Sequence, residues 1–194
     1  MNKISKVSKV SQFIKVLLLF IAGMQLCVYL ILFLFGTTTG SVSEVSFNYL
    51  GMSSSIHVSF DSSWQGLAQA LAEQHFNPVF ILGIADSIPY LLMYFFLYKL
   101  FSLYQQGLVF TEVNVKYIKN IALVFFAWIA MNVFYPVLVV FILRLSGIAE
   151  DPLPLIINLG STELRYFVIG AIIYVMAWIM SEAIALQQEQ ELVI

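Results

Sequence analysis

The sequence predicts an all-α membrane protein: a four-transmembrane-helix bundle with a small α+β extracytoplasmic cap between helices 1 and 2, built as one integral domain over residues 1–194. Three observations carry this prediction. Four apolar stretches, at about residues 13–35, 78–104, 121–145 and 164–186, each reach the roughly 20 residues needed to cross ~30 Å of hydrocarbon at ~1.5 Å per residue. Hydrophobic residues make up 61% of the chain and charged residues 10%. Soluble domains carry roughly 25% charged residues, and a chain this apolar cannot cover its surface in water. Finally, seven of the nine basic residues fall on one side of the alternating stretches. Lys3, Lys6, Lys9 and Lys15 mark the start of the first stretch, and Lys99, Lys116 and Lys119 flank the connection between the second and third. Residues 36–77 hold no Lys or Arg.

Basic segments stay on the cytoplasmic side, so both termini are expected in the cytoplasm and residues 36–77 outside. Arg144 and Arg165 are the exceptions. They fall at the outer ends of spans three and four, where long side chains snorkel toward headgroups or pair with an acid. Span one is expected to be an uncleaved helix. Its apolar run exceeds the about 7 to 15 residues of a signal core, and Phe35-Gly36-Thr37-Thr38-Thr39-Gly40 lacks an A-x-A-like cleavage site and reads as a loop.

The outer segment has its own pattern. Val42, Val45, Phe47 and Tyr49, then Ile56, Val58 and Phe60, alternate in part with polar residues on either side of Gly51-Met52-Ser53-Ser54, predicting two short strands and a turn. Ser62-x-x-Gln65 fits a capping box. Trp64, Leu67, Ala68, Leu71 and His75 then recur at helical spacing, predicting an amphipathic helix on the membrane or on the bundle. A lone two-stranded hairpin is marginal in water, so it should pack on that helix or on a second copy of the chain in a homo-oligomer. His57 and His75, with Glu44, Asp61 and Glu73, lack metal-ligand spacing and read as surface histidines.

Span two carries the costliest residue. Asp86 at mid-bilayer costs about 2.5–3.5 kcal/mol on the insertion scale, offset by the Leu, Ile, Val and Phe residues around it at roughly 0.3–0.6 each. It needs a partner, and Arg165 or Arg144 is expected to supply one. The alternative is a transported-ion or proton site. Pro89 crowds the carbonyl of Ala85 and Pro136 that of Asn132, so each span is expected to kink beside a polar side chain. Asp86, Tyr90, Tyr94 and Tyr98 follow at intervals of four, as do Tyr166, Gly170 and Tyr174, and both stripes should face protein.

Between spans two and three, Gly107 can end one helix in the left-handed conformation and Thr111 can cap the next, with Phe110 stapled onto Val115. Glu182, Glu189 and Glu191 make the last helix acidic at the unfavourable end of its dipole, so the tail is expected either to be held by basic groups such as Lys116 and Lys119 or a partner protein, or to be solvated. Catalytic patterns are missing: no Ser-His-Asp or Cys-His set lies on one side, and no phosphate loop or H-E-x-x-H occurs. The single cysteine, Cys27, allows neither an intramolecular disulfide nor a thiolate metal set. A net charge of −2 without a basic, aromatic-interleaved cluster argues against direct nucleic-acid contact. A non-enzymatic protein without a cofactor is expected.

Two segments carry a resemblance. Gly107-Leu108-Val109-Phe110-Thr111 with Asn114 and the run Lys116 to Asn120, together with Leu186-Gln187-Gln188-Glu189-Gln190-Glu191-Leu192-Val193-Ile194, resembles the uncharacterised bacterial membrane family labelled domain of unknown function 2975. That family is similar in its four spans, its G-x-[IV]-F-T turn before span three and its acidic ending close to L-x-E-x-[DE]-L-T-I. Val193 replaces the usual Thr, and the resemblance covers mainly the last half of the chain. It implies the bacterial cytoplasmic (inner) membrane. It also implies a soluble cytoplasmic regulator, such as a helix-turn-helix transcription factor, as partner of a face that includes Gly107, Phe110, Thr111, Asn114, Glu189 and Glu191. The expected function is regulatory or signalling; the alternatives are a small transporter or channel subunit using Asp86, and an extracytoplasmic ligand sensor acting through residues 36–77.

Overall fold

The computed structural model describes residues 3–39, 42–49, 52–59, 64–147 and 160–192. In chain order they form α1 (Lys3–Phe35), β1 (Thr37–Thr39), β2 (Val42–Tyr49), β3 (Met52–Ser59), α2 (Gln65–Glu73), a π-helical turn (Val79–Gly83), α3 (Ile84–Gln105), α4 (Glu112–Leu145) and α5 (Ser161–Leu192). Four helical segments, Lys6–Phe35, Val79–Gln105, Glu112–Leu145 and Ser161–Gln190, are long and apolar enough to cross a membrane. Three of them overrun the apolar stretches by several residues. Lys3, Lys6, Lys9 and Lys15 thus ride on α1 itself, because Lys is a good helix former and hydropathy does not mark where a helix starts. Neither Pro89 nor Pro136 ends its helix.

The chain divides into two compact units. One comprises Gly23–Ile88 and Ile129–Gly160. Its core is organised by α2. Trp64, Leu67, Ala68 and Leu71 pack with Leu32 of α1, Val45 of β2, Val79, Leu82 and Ala85, and Val139 and Val140 of α4. Each large apolar side chain taken from water contributes about 1.5–3 kcal/mol, so the amphipathic stripe holds α2 inside this unit. The expected capping box of Ser62 and Gln65 falls in part outside the described residues. Trp64 occupies the N-cap with no side-chain capping bond, its ring committed to the core.

The far end of α2 departs from the predicted stripe. His75 is exposed and has φ 62°, a left-handed conformation rare outside glycine. Its N–H bonds the Ala72 carbonyl at 3.0 Å and that of Phe76 bonds the Leu71 carbonyl at 2.9 Å. This is a Schellman closure with His75 in the position glycine usually fills. The apolar period therefore stops at Leu71.

The sheet has three strands in the order β1-β2-β3, all antiparallel, where two were expected. Thr37–Thr39, read as loop, pairs with β2 because β-branched residues suit an extended edge and β2 offers an unpaired row of backbone groups. Met52, Ser53 and Ser54, read as turn, belong to β3 opposite Tyr49, Asn48 and Phe47. Ladder bonds come from the backbone, so serines pair as readily as apolar residues. Leu50 and Gly51, the connection, lie outside the described residues. Ser43 and Val45 are buried, which identifies the inward face of β2.

The second unit comprises Met1–Ala22, Pro89–Trp128 and Ser161–Ile194. Lys15 Nζ donates to Gln105 Oε1 at 3.0 Å and lies 4.8 Å from the Tyr98 ring centroid, giving a cation inside an apolar stretch two partners. Val115 of α4 meets Ala177 and Ile184 of α5, and Trp128 stacks edge-on to Tyr166 at 4.2 Å, with Tyr90 at 6.3 Å. Gly170 is buried against Phe125. Tyr174, further along the same stripe, is 43% exposed and lines a groove against α4.

Candidate functional site

Two polar constellations stand out, one in each unit. The first surrounds the π-helical turn. Asn77 acts as N-cap, its Oδ1 accepting from the backbone N–H groups of Val79 at 2.9 Å and Phe80 at 3.2 Å, with Pro78 in the first helical position where no N–H is needed. The extra residue of a π-turn disturbs the backbone ladder, and side chains take up two of its carbonyls. Tyr135 Oη donates to the Ile81 carbonyl at 2.5 Å and Ser87 Oγ to the Gly83 carbonyl at 2.8 Å.

Asp86 follows directly, half-buried in the first turn of α3. Tyr29 of α1 reaches it, Oη donating to Asp86 Oδ2 at 3.4 Å. Gly83 makes that approach possible. A Cβ there would stand 2.8 Å from Tyr29 Cε1, closer than carbon atoms tolerate, so only glycine lets the ring lie against the turn. Arg144 is exposed in the last turn of α4, where a cation complements the helix dipole, and Arg165 is exposed near the start of α5.

Pro136 creates a vacancy in the α4 ladder that another element fills. Lacking an N–H, it leaves the carbonyl of Asn132 without its usual donor. The indole Nε1 of Trp64 donates to that carbonyl at 3.1 Å, the indole ring lying 5.6 Å from Tyr135. Asn132 is itself buried, and its Nδ2 has no hydrogen-bond partner among the described residues.

The second constellation is the α3–α4 turn. Gly107 has φ 81°; its N–H bonds the Tyr104 carbonyl at 3.1 Å and that of Leu108 bonds the Leu103 carbonyl at 3.1 Å, a second Schellman closure. Thr111 Oγ1 accepts from the Asn114 N–H at 3.4 Å as N-cap of α4. Asn114 locks the loop: it is wholly buried, and its Nδ2 donates to the carbonyls of Leu108 at 2.6 Å and Val109 at 2.8 Å. Phe110 does not close over Val115 as a staple would. Its ring is 72% exposed, flanked by exposed Leu108 and Val113.

The predicted motif thus separates into two roles. Gly107, Thr111 and Asn114 shape the turn, whereas Phe110 is presented by it. At the other end of the motif, Glu182 and Glu189 are exposed, and Glu191 lies in the last turn of α5, its side chain outside the described residues. The tail's contact differs from the lysine pairing expected: Gln188 Nε2 donates to Glu112 Oε1 at 3.4 Å. His57 is exposed, and no group of three or more His, Cys, Asp or Glu suited to a metal occurs among the described residues.

Sequence reasoning missed Tyr29, Asn77 and the donor role of Trp64. Asn77-Pro78 is a readable helix start, and a carbonyl freed by Pro136 calls for a buried donor, which Trp supplies. Nothing local announces Tyr29, since its partner lies 57 positions away.

No curated protein and no solved structure matches the chain. A family match begins at residue 63, just before α2, and so extends further toward the N-terminus than the resemblance in the turn and tail suggested. Residues 63–194, about two thirds of the chain, match the family described as Protein of unknown function (DUF2975), and the chain belongs to that family.

Proposed function

We propose that the protein is a non-enzymatic, regulatory protein of the bacterial inner membrane, spanning it four times with both termini inside, whose cytoplasmic surface engages a soluble regulator such as a helix-turn-helix transcription factor. The observation that carries this reading is the locked turn with Phe110 at its tip. If the hydrocarbon begins near Ile121, the helix from Glu112 to Asn120 adds roughly 13 Å at ~1.5 Å per residue. That exceeds the roughly 5–7 Å headgroup layer of one leaflet. Phe110, Leu108 and Val113 then meet the aqueous phase, where a rigidly held aromatic flanked by aliphatics is the kind of anchor protein interfaces use. In-membrane crosslinking and capture should recover a soluble partner that is lost with Phe110→Ala and with removal of the last nine residues. A chain that captures no such partner, or captures one indifferent to both changes, sinks the reading.

A second reading, a small transporter or channel subunit, is favoured by the π-turn beside Asp86, since such turns recur at functional sites. Asp86→Asn should then abolish flux in reconstituted vesicles at unchanged thermal stability. Loss of stability alone makes Asp86 structural.

A further inference from the structure

A groove of about 520 Å³ runs between α4 and α5, within the roughly 300–1,000 Å³ typical of small-ligand sites. Lys116, Lys119 and Leu123 share one face of α4, and Tyr174, Ser181 and Gln188 recur every seven residues along α5. At one end Glu112 accepts from Gln188, which occupies the groove's acid. Lys116 and Lys119 make no hydrogen bond or ion pair among the described residues. Two ammonium groups therefore face a cavity that is polar at the Gln188 end and apolar toward Leu123.

Depth decides what this cavity suits. At ~1.5 Å per residue, Lys119 and Lys116 stand about 3 and 7.5 Å outside Ile121, within or at the edge of the headgroup layer of roughly 5–7 Å. Leu123 falls on the acyl side. The geometry points to an anionic phospholipid in this groove, its phosphate between Lys116 and Lys119 and its chains running past Leu123. This inference rests on the membrane-spanning part of the function proposed above. Choline and ethanolamine headgroups would bring a cation beside the two lysines, whereas a phosphatidylglycerol headgroup matches the groove's net charge of about +1.

The test is native mass spectrometry of the full chain extracted from membranes and offered phosphatidylglycerol or phosphatidylcholine in detergent. Phosphatidylglycerol should be retained about tenfold or more over phosphatidylcholine, as two lysines near an anionic surface imply. Lys116→Gln with Lys119→Gln should abolish the preference. Ser181→Leu, which fills the groove and leaves the lysines, should lower retention of both lipids. Equal retention of the two lipids, a preference that survives the lysine changes, or binding of inorganic phosphate without any lipid preference overturns the proposal. Recovery of the chain in the soluble fraction overturns the membrane reading as well, whereas membrane recovery without lipid preference overturns the groove alone.

Discussion

Removing the indole N–H of Trp64 tests whether α2 serves the proline in α4. Trp64 is 1% exposed, and its Nε1 donates at 3.1 Å to the carbonyl that Pro136 leaves open. Trp64→Phe therefore does two things: it shrinks a buried ring, and it leaves a buried carbonyl without a donor. The second effect costs about 1–3 kcal/mol, and the lost ring volume adds roughly 1–2 kcal/mol as a fraction of a full aromatic-to-alanine change. The two are separable because Pro136→Ala restores a backbone N–H four residues after Asn132. In that background Trp64→Phe should cost only the volume part. A double-mutant cycle by equilibrium unfolding in mixed detergent micelles should then give a coupling of about 1–2 kcal/mol, with the single change Trp64→Phe costing more than it does beside Ala at position 136. Equal costs in the two backgrounds, within about 0.5 kcal/mol, would refute the claim that the indole completes the α4 ladder.

Two further outcomes follow from the helix ends. Asn114→Ala removes two donations to loop carbonyls and should destabilise the chain by about 1–3 kcal/mol in the same assay; Asn114→Asp should cost more, since it turns an acceptor toward carbonyls now 2.6 and 2.8 Å away. An Asp variant as stable as the parent would remove the turn-lock role. His75→Gly should raise the melting temperature by roughly 2–4 °C, because the left-handed backbone costs a non-glycine residue about 1–2 kcal/mol, part of which glycine's looser unfolded state takes back. His75→Val should lower it, and a reversed order would show that the φ of 62° carries no strain.

Much of the architecture was legible one residue at a time. Hydropathy located four long helices, the 3.6-residue recurrence of Trp64, Leu67, Ala68 and Leu71 found α2 and its buried side, and Gly107 with Thr111 marked the ends of α3 and α4. These succeed because periodicity, capping and left-handed glycine depend on neighbours within a few positions. Where the reading slipped, the deciding partner was elsewhere. Thr37–Thr39 became a strand because β2 had an open edge, and Phe110 stayed exposed although its spacing suited a staple.

The sequence by itself determined that the chain is apolar enough to live in a membrane, which residues make its long helices, and which family it belongs to, since composition, run length and short motifs are written along the chain. Only the tertiary structure decided how the polar groups inside are satisfied: Tyr29 against Asp86 through the gap at Gly83, Trp64 on the carbonyl freed by Pro136, and Asn114 folded back on its own turn. The reason is physical. A buried donor or acceptor must find a partner wherever the fold brings one within about 3 Å, and spacing along the chain does not encode that distance.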